Sequence, residues 1–212
     1  MHPKVLSKPA WKLVRSLVEA GLTKPWTLAG GTALALQMGH RYSEDLDFFR
    51  AESFSTERLL TPLAAIGEVH IHDRSTDMLH LALNGLRLSF LNAEAPLLFP
   101  GTPYRGITVA DPRDIAVMKL IAIGGRGSRK DFVDLYFILR GGASLEDVFA
   151  LVRRRFERID YNTYHLLKSL VYFRDAEAEP MPEMLRKVSW EQVKKTLTHA
   201  VRGVGGGGIN HK

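Results

Sequence analysis

Eighteen residues, Gly30 to Asp47, constrain the fold of this chain more than any other stretch. Trp26-Thr27-Leu28-Ala29 is a short apolar run of strand character, and Gly30-Gly31 breaks it sharply. Thr32 to Met38 then reads as a helix whose N-terminus lies at the glycines. After Gly39, Asp45-Leu46-Asp47-Phe48-Phe49 alternates acidic and apolar residues, as a half-buried strand does. On a strand, residues two apart point the same way, so both carboxylates share a face. Taken alone, Gly30-Gly31-Thr32 is a tight turn, and Asp45 and Asp47 beside Glu44 are a solvated acidic strand end. Taken together they put two complementary sites on neighbouring elements. Backbone N–H groups at a helix N-terminus favour an anion, glycines let a phosphate approach closely, and the Thr32 hydroxyl adds a donor. Two carboxylates on a buried face favour a cation between them. Magnesium suits such a pair, because it takes oxygen ligands and is usually held by one or two carboxylates plus substrate phosphates. A bound Mg-triphosphate needs both halves.

The rest of the chain predicts a mixed α/β core followed by helices. A helix covers residues 11–18, with apolar positions at i, i+3 and i+7, and ends near Gly21. Ser55 caps a helix running to Ile66. Strands follow at 68–73, 77–83 and 86–91, the last two flanking Asn84-Gly85, a pair suited to a type I′ hairpin. A short strand at 107–110 precedes Asp111-Pro112-Arg113-Asp114, which opens a helix with a cap, a proline at its first position and an acid three on. That helix is expected to stop at Gly124-Gly125, and a basic turn at 126–130 leads into a helix over 131–139. Further helices are expected at 144–158, 161–173 and 190–201, with a loop rich in Pro and Glu at 175–183. The organisation is a core over residues 1–110, a helical region over 111–204 completing the cleft, and a flexible glycine-rich tail over 205–212.

Composition bounds the function classes. No run approaches the roughly 18 consecutive apolar residues of a membrane span, and Lys8, Lys12 and Arg15 interrupt any leader-like stretch. Zero cysteines exclude disulfides and thiolate metal ligands and fit a reducing cytoplasm. A net charge of +6 favours a polyanionic partner or substrate.

A second constellation lies in the C-terminal half. On a wheel at about 100° per residue, Lys119 falls inside the apolar stripe formed by Ile115, Met118 and Ala122. A lysine so placed either snorkels out or meets a buried acid or a phosphate. In the next helix Asp131 and Asp134 share a face with Leu135 and Ile138, and Lys119 is the obvious partner for them. A core ion pair joining two helices explains this pattern as well as a catalytic role does.

The two blocks together resemble a known family. Residues 28–34 (Leu28-Ala29-Gly30-Gly31-Thr32-Ala33-Leu34) and 40–49, then 111–120 and 126–136, are similar to the AbiEii/AbiGii toxins, which belong to the polymerase-β-like nucleotidyltransferases. The resemblance covers about residues 10 to 175. It implies a polymerase-β-like α/β (α+β) core with a small mixed sheet flanked by helices. It further implies transfer of a nucleoside monophosphate from an NTP to an acceptor, an RNA such as tRNA, by the toxin of a toxin–antitoxin pair. Asp45 and Asp47 would bind Mg2+ (or Mn2+), Gly30, Gly31, Thr32, Arg41 and Ser43 would hold the nucleotide, and Lys119 would neutralise phosphate charge while Asp131 and Asp134 orient it or act as base. A cognate antitoxin is an implied partner. One departure stands out: these enzymes commonly carry a third carboxylate on a later strand, and here Ser89 occupies the expected position. Two rivals are therefore a degenerate nucleotide- or RNA-binding module, and transfer onto a protein hydroxyl (AMPylation).

Among the histidines, His40, His70, His72 and His80 form no convincing metal spacing and read as surface or hairpin residues. Arg153-Arg154-Arg155 and Arg158 either bind a phosphate backbone or form a solvated helix face.

Overall fold

A computed structural model describes residues 1–93, 95–159 and 161–206. The chain divides into two compact units, Met1–Asp111 and Pro112–Lys212.

The first unit opens with α1 (Lys8–Glu19), whose N-terminus is closed by Ser7 Oγ accepting from the Ala10 amide at 3.3 Å. Its buried stripe is Ala10, Leu13, Val14 and Leu17, the i, i+3, i+4, i+7 pattern of an amphipathic helix. Trp11 and Val18, counted in that stripe from sequence, lie at its half-buried edge, where Trp11 Nε1 donates to the Pro3 carbonyl at 2.8 Å.

Seven strands among the described residues make one mixed sheet: β1 (Thr27–Leu28), β2 (Leu46–Arg50), β3 (Val69–Arg74), β4 (Met78–Leu83), β5 (Leu86–Asn92), β6 (Thr102–Tyr104) and β7 (Ile107–Val109). Their order is β3-β4-β5-β2-β1-β7-β6. The β2–β5 and β1–β7 pairs are parallel and the rest antiparallel. Helix α2 (Gly30–Met38) packs on β2, and α3 (Thr56–Ile66), capped by Ser55 as expected, packs on β3 and β4.

Strand alternation gives the sheet two chemically different faces. Leu46 and Phe48 of β2, Leu88 and Phe90 of β5, and Leu79 and Leu81 of β4 are all at most 1% exposed. Phe48 and Phe90 stack at 5.7 Å between ring centroids, and Trp26 meets Phe90 edge-on at 4.9 Å. Each fully buried Phe contributes roughly 3 kcal/mol of apolar transfer energy, so this face fixes the register. Asp47, Ser89, Arg87 and His80 fall on the opposite face.

Asn84 (φ 52°) and Gly85 (φ 77°) both adopt the left-handed conformation of a type I′ hairpin between β4 and β5. A second hairpin of the same kind, at Arg105 and Gly106, joins β7 to an unanticipated β6. The β6 sequence Thr102-Pro103-Tyr104 gives little strand signal, and its proline is tolerated because β6 is an edge strand.

The second unit is helical: α4 (Pro112–Arg126), α5 (Arg129–Arg140), α6 (Leu145–Arg155), α7 (Thr163–Ser169), α8 (Arg174–Glu177) and α9 (Trp190–Gly206). Several boundaries correct the sequence reading. Helix α4 does not stop at Gly124-Gly125 but runs on to Arg126, and Gly124 lies where a larger residue would collide with the Leu166 side chain of α7. Helix α5 starts two residues earlier than 131, because Ser128 and Asp131 form a capping box. The single helix expected over 161–173 is instead α7, capped by Asn162, followed by a turn and α8. That turn brings Phe173 onto Phe132 (5.3 Å) and Trp190 (5.7 Å), burial that a continuous helix would forgo. Helix α9 extends past residue 201 through Gly205 and Gly206; the remainder of the expected tail, 207–212, lies outside the described residues. Among the described residues no helix is long and apolar enough to cross a membrane.

Candidate active site

Gly30 is the point where the two halves of the first motif meet. It starts α2 with φ +65°, a left-handed conformation that a side chain strains, and no side chain caps this helix. A Cβ placed on Gly30 would sit 3.0 Å from Asp47 Oδ2. The start of α2 and the Asp47 carboxylate are therefore close neighbours. The Ala29 amide also donates to the Asp47 carbonyl at 2.9 Å, tying the strand that precedes the helix to β2.

Asp45 immediately precedes β2, and Asp47 is its second residue. Asp45 Oδ1 receives Arg87 Nε at 2.8 Å; Asp45 is about a quarter exposed and the Arg87 side chain 74% exposed. An exposed ion pair contributes about 0–1 kcal/mol, so a competing cation displaces it at little cost. Among the described residues no group of three or more His, Asp or Glu could hold a metal unaided. The donor set nevertheless fits magnesium: one carboxylate on β2 and another immediately before it, oxygen donors only, and a side-chain-free approach at Gly30. Substrate phosphates and water would supply the remaining ligands.

Thr32, Arg41 and Ser43 are present at the site but turned to its construction. Thr32 is 1% exposed; its hydroxyl donates to the Asp45 carbonyl and lies 2.8 Å from Ser43 Oγ. The phosphate donor expected from sequence is thus engaged inside the protein, where it fixes the start of the D-x-D strand against α2. Arg41 is buried and donates to the Tyr42 carbonyl at 3.0 Å. His40, read as a surface residue, is fully buried instead, as befits a chain that turns inward between α2 and β2.

Ser89 stands directly beside Asp47 in the parallel β2–β5 register, the place where a third carboxylate was sought. Its hydroxyl is not isolated: His80 Nδ1, across the β4–β5 pair, lies 2.9 Å from Ser89 Oγ. Sequence reading assigned His80 no role.

In the second unit Lys119 is buried, with its ammonium 2.7 Å from Asp131 Oδ1 and 2.8 Å from Asp134 Oδ2. Asp131 Oδ2 also accepts from the Ser128 amide (3.1 Å) and hydroxyl (2.7 Å). Burial by itself pushes the Lys119 ammonium down. Attraction to Asp134 and Asp131, with their hydrogen bonds, outweighs it and raises the ammonium above its usual range, so Lys119 is charged at any working pH. The geometry joins α4 to α5, the core-pair role the wheel allowed. Arg155, one of the arginines read as phosphate-binding or solvated, is buried with Nη1 3.8 Å from the wholly buried Asp114. Arg153 and Arg154 are exposed.

Comparison with known proteins bears on the family and the fold. The model of the nucleotidyl transferase AbiEii toxin, type IV toxin–antitoxin system, matches residues 11–93 and 85–202. An uncharacterized protein of Aquifex aeolicus (strain VF5) is 36% identical over 207 residues, spanning 93% of this chain and 96% of that protein. Two solved structures share the fold. JHP933 from Helicobacter pylori has a TM-score of 0.58 at 21% identity, covering 95% of this chain and 94% of that one. MenT4, a nucleotidyltransferase toxin from Mycobacterium tuberculosis, has a TM-score of 0.60 at 16% identity, covering 91% and 82%. Since the family model spans most of the chain and contains both motif blocks, this protein belongs to the AbiEii nucleotidyl transferase toxins of type IV toxin–antitoxin systems.

Proposed function

We propose that this protein transfers a nucleoside monophosphate from an NTP to an RNA acceptor such as tRNA, with Mg2+ (or Mn2+) bound by Asp45 and Asp47. The observation that carries the reading is the closeness of the Gly30 helix start to the Asp47 carboxylate, whose Oδ2 lies 3.0 Å from where a Cβ on Gly30 would stand. Triphosphate oxygens need donors and a counter-cation at adjacent points, and this junction offers both. A divalent ion, which Asp45 and Asp47 would hold, would supply Lewis-acid stabilisation of the phosphate charge. The Gly30-Gly31 backbone binds the β/γ phosphates, Thr32 and Ser43 hold that backbone against the Asp45 strand, and Arg41 braces the connecting loop. In the helical unit, the buried Lys119–Asp131–Asp134 cluster holds α4 against α5. The net charge of +6 supports a polyanionic acceptor. Family membership supports a cognate antitoxin as partner and the cytoplasm as the place of action.

The test is incubation of the protein with each labelled NTP, Mg2+ or Mn2+, and total RNA. Label on RNA is expected. Label on protein instead would mean AMPylation-type transfer, and tight nucleotide binding without label would mean an inert module. Asp47→Ala is expected to abolish transfer while leaving the fold, followed by circular dichroism, unchanged; undiminished transfer would remove the metal assignment.

A further inference from the structure

The polar face of the sheet carries a row that runs across four strands. In register from the centre outward stand Asp47 on β2, Ser89 on β5, His80 on β4 and Asp73 on β3. Ser89 is 8% exposed and His80 half-buried, and His80 Nδ1 is 2.9 Å from Ser89 Oγ. Arg87, two residues before Ser89 on the same face, is drawn toward Asp45. Asp73 Oδ1 accepts from the Arg74 amide at 2.8 Å, so it belongs to its own strand's turn of chain. In register with His80 stand Ser89 on β5 and Asp73 on β3, with Asp47 beyond Ser89; Arg87 and His70, each opposite Ala82, are one pair further along the same face and are engaged with Asp45 and Glu68.

A serine hydroxyl takes no proton from an attacking hydroxyl near neutral pH unless it can hand its own proton on. Hydrogen-bonded to an imidazole, it can. We infer that Ser89 and His80 form a proton relay that activates the acceptor hydroxyl, beside Asp47, in place of a carboxylate base. The inference rests on the nucleotidyl transfer proposed above. As the acceptor oxygen bonds to the α-phosphorus, the bond to the β-phosphate oxygen breaks and pyrophosphate leaves with the electron pair. The acceptor proton passes to Ser89 Oγ, the Ser89 proton passes to His80 Nδ1, and the imidazolium returns it to water. The relay requires the tautomer with Nδ1 unprotonated and Nε2 carrying hydrogen. Ser89 touches the reacting hydroxyl; His80 acts through it.

The test compares wild type with Ser89→Ala, His80→Gln and the double variant Ser89→Asp/His80→Gln in the RNA-labelling assay between pH 5 and 9. Ser89→Ala is nearly isosteric and guards against misfolding. Each single variant is expected to lose about 10²-fold in kcat with KM for NTP unchanged, and to alter the pH profile of the rate. The double variant is expected to recover most of the rate, because a carboxylate beside Asp47 no longer needs the imidazole. A second readout needs neither metal nor turnover: in the NMR spectrum of the metal-free protein, Ser89→Ala should shift the His80 Nδ1 resonance, because that nitrogen loses its hydrogen bond. Wild-type transfer that Asp47→Ala abolishes but His80→Gln and Ser89→Ala leave intact in rate and pH profile would overturn the relay alone. A failure of the wild type to label any acceptor would overturn the transfer reading and the relay with it.

Discussion

Replacing Lys119 by Met keeps most of the side-chain volume and removes one charge from a buried cluster of three. The ammonium lies 2.7 and 2.8 Å from two carboxylates, and the Asp134 side chain is wholly inaccessible. At an effective dielectric of about 20, a unit pair at 4 Å attracts by about 4 kcal/mol. Against this stands a desolvation penalty of several kcal/mol per buried ion. The pair as built is therefore close to balance, whereas the broken pair leaves two carboxylates facing each other. Breaking such a pair costs about 3–5 kcal/mol, a fifth or more of the roughly 5–15 kcal/mol that holds a protein together. Urea denaturation of the full chain should show that loss, and adding Asp134→Leu to Lys119→Met should restore part of it by removing a stranded charge. The pH dependence follows from the raised ammonium. A group protonated more tightly in the folded state stabilises fully below its unfolded value of 10.5 and loses that contribution as pH climbs through the folded value. Wild type should thus lose stability only above about pH 10.5 from this source, and Lys119→Met should show no such component. A Lys119→Met midpoint equal to wild type, with the same alkaline limb, would refute the account of a coupled buried cluster.

Two further substitutions probe the first motif. Gly30→Ala meets both a left-handed φ, costing about 1–2 kcal/mol, and a Cβ 3.0 Å from Asp47 Oδ2, so thermal stability should fall modestly and transfer by about 10²-fold; Gly31→Ala, outside the left-handed region, should match or exceed wild-type stability. Thr32→Val removes the hydroxyl held by the Asp45 carbonyl and Ser43, costing about 1–3 kcal/mol and lowering kcat while leaving KM for NTP unchanged; a large rise in KM with normal stability would show that Thr32 binds phosphate after all.

The parts of this fold that were legible in the sequence are those that local chemistry fixes. Strand alternation at Leu46 to Phe49, the cap at Ser55, and the Asn84-Gly85 turn each depend on a few adjacent residues. The pairing of Lys119 with Asp131 and Asp134 was also within reach, because a helical wheel puts all three on apolar faces where a charge needs a partner. What failed was set by packing between segments distant in sequence. Gly124 continues a helix because Leu166 closes over it, and the chain turns near residue 170 so that Phe173 reaches Phe132 and Trp190. Neither neighbour is visible from the glycine or the phenylalanine alone.

His80 shows how narrow the boundary is between legible and illegible. A two-residue turn at Asn84-Gly85 makes Leu83 face Leu86, and counting back from there makes His80 face Ser89, so the hairpin signal already contained the contact. The count alone, however, gives a histidine opposite a serine somewhere on a hairpin. What turns that pair toward chemistry is the parallel pairing of β5 with β2, which sets Ser89 beside Asp47 across more than forty residues of chain. Parallel register has no turn to fix it. Here it is fixed by the opposite face, where Leu46, Phe48, Leu88 and Phe90 bury together; a one-residue slip would expose all four and would also turn Asp47 and Ser89 inward. The apolar face of the sheet thus determines the spacing of the polar groups on the other. A substitution at Phe48 or Phe90 that left the fold standing but loosened that packing would be felt first at Asp47 and Ser89.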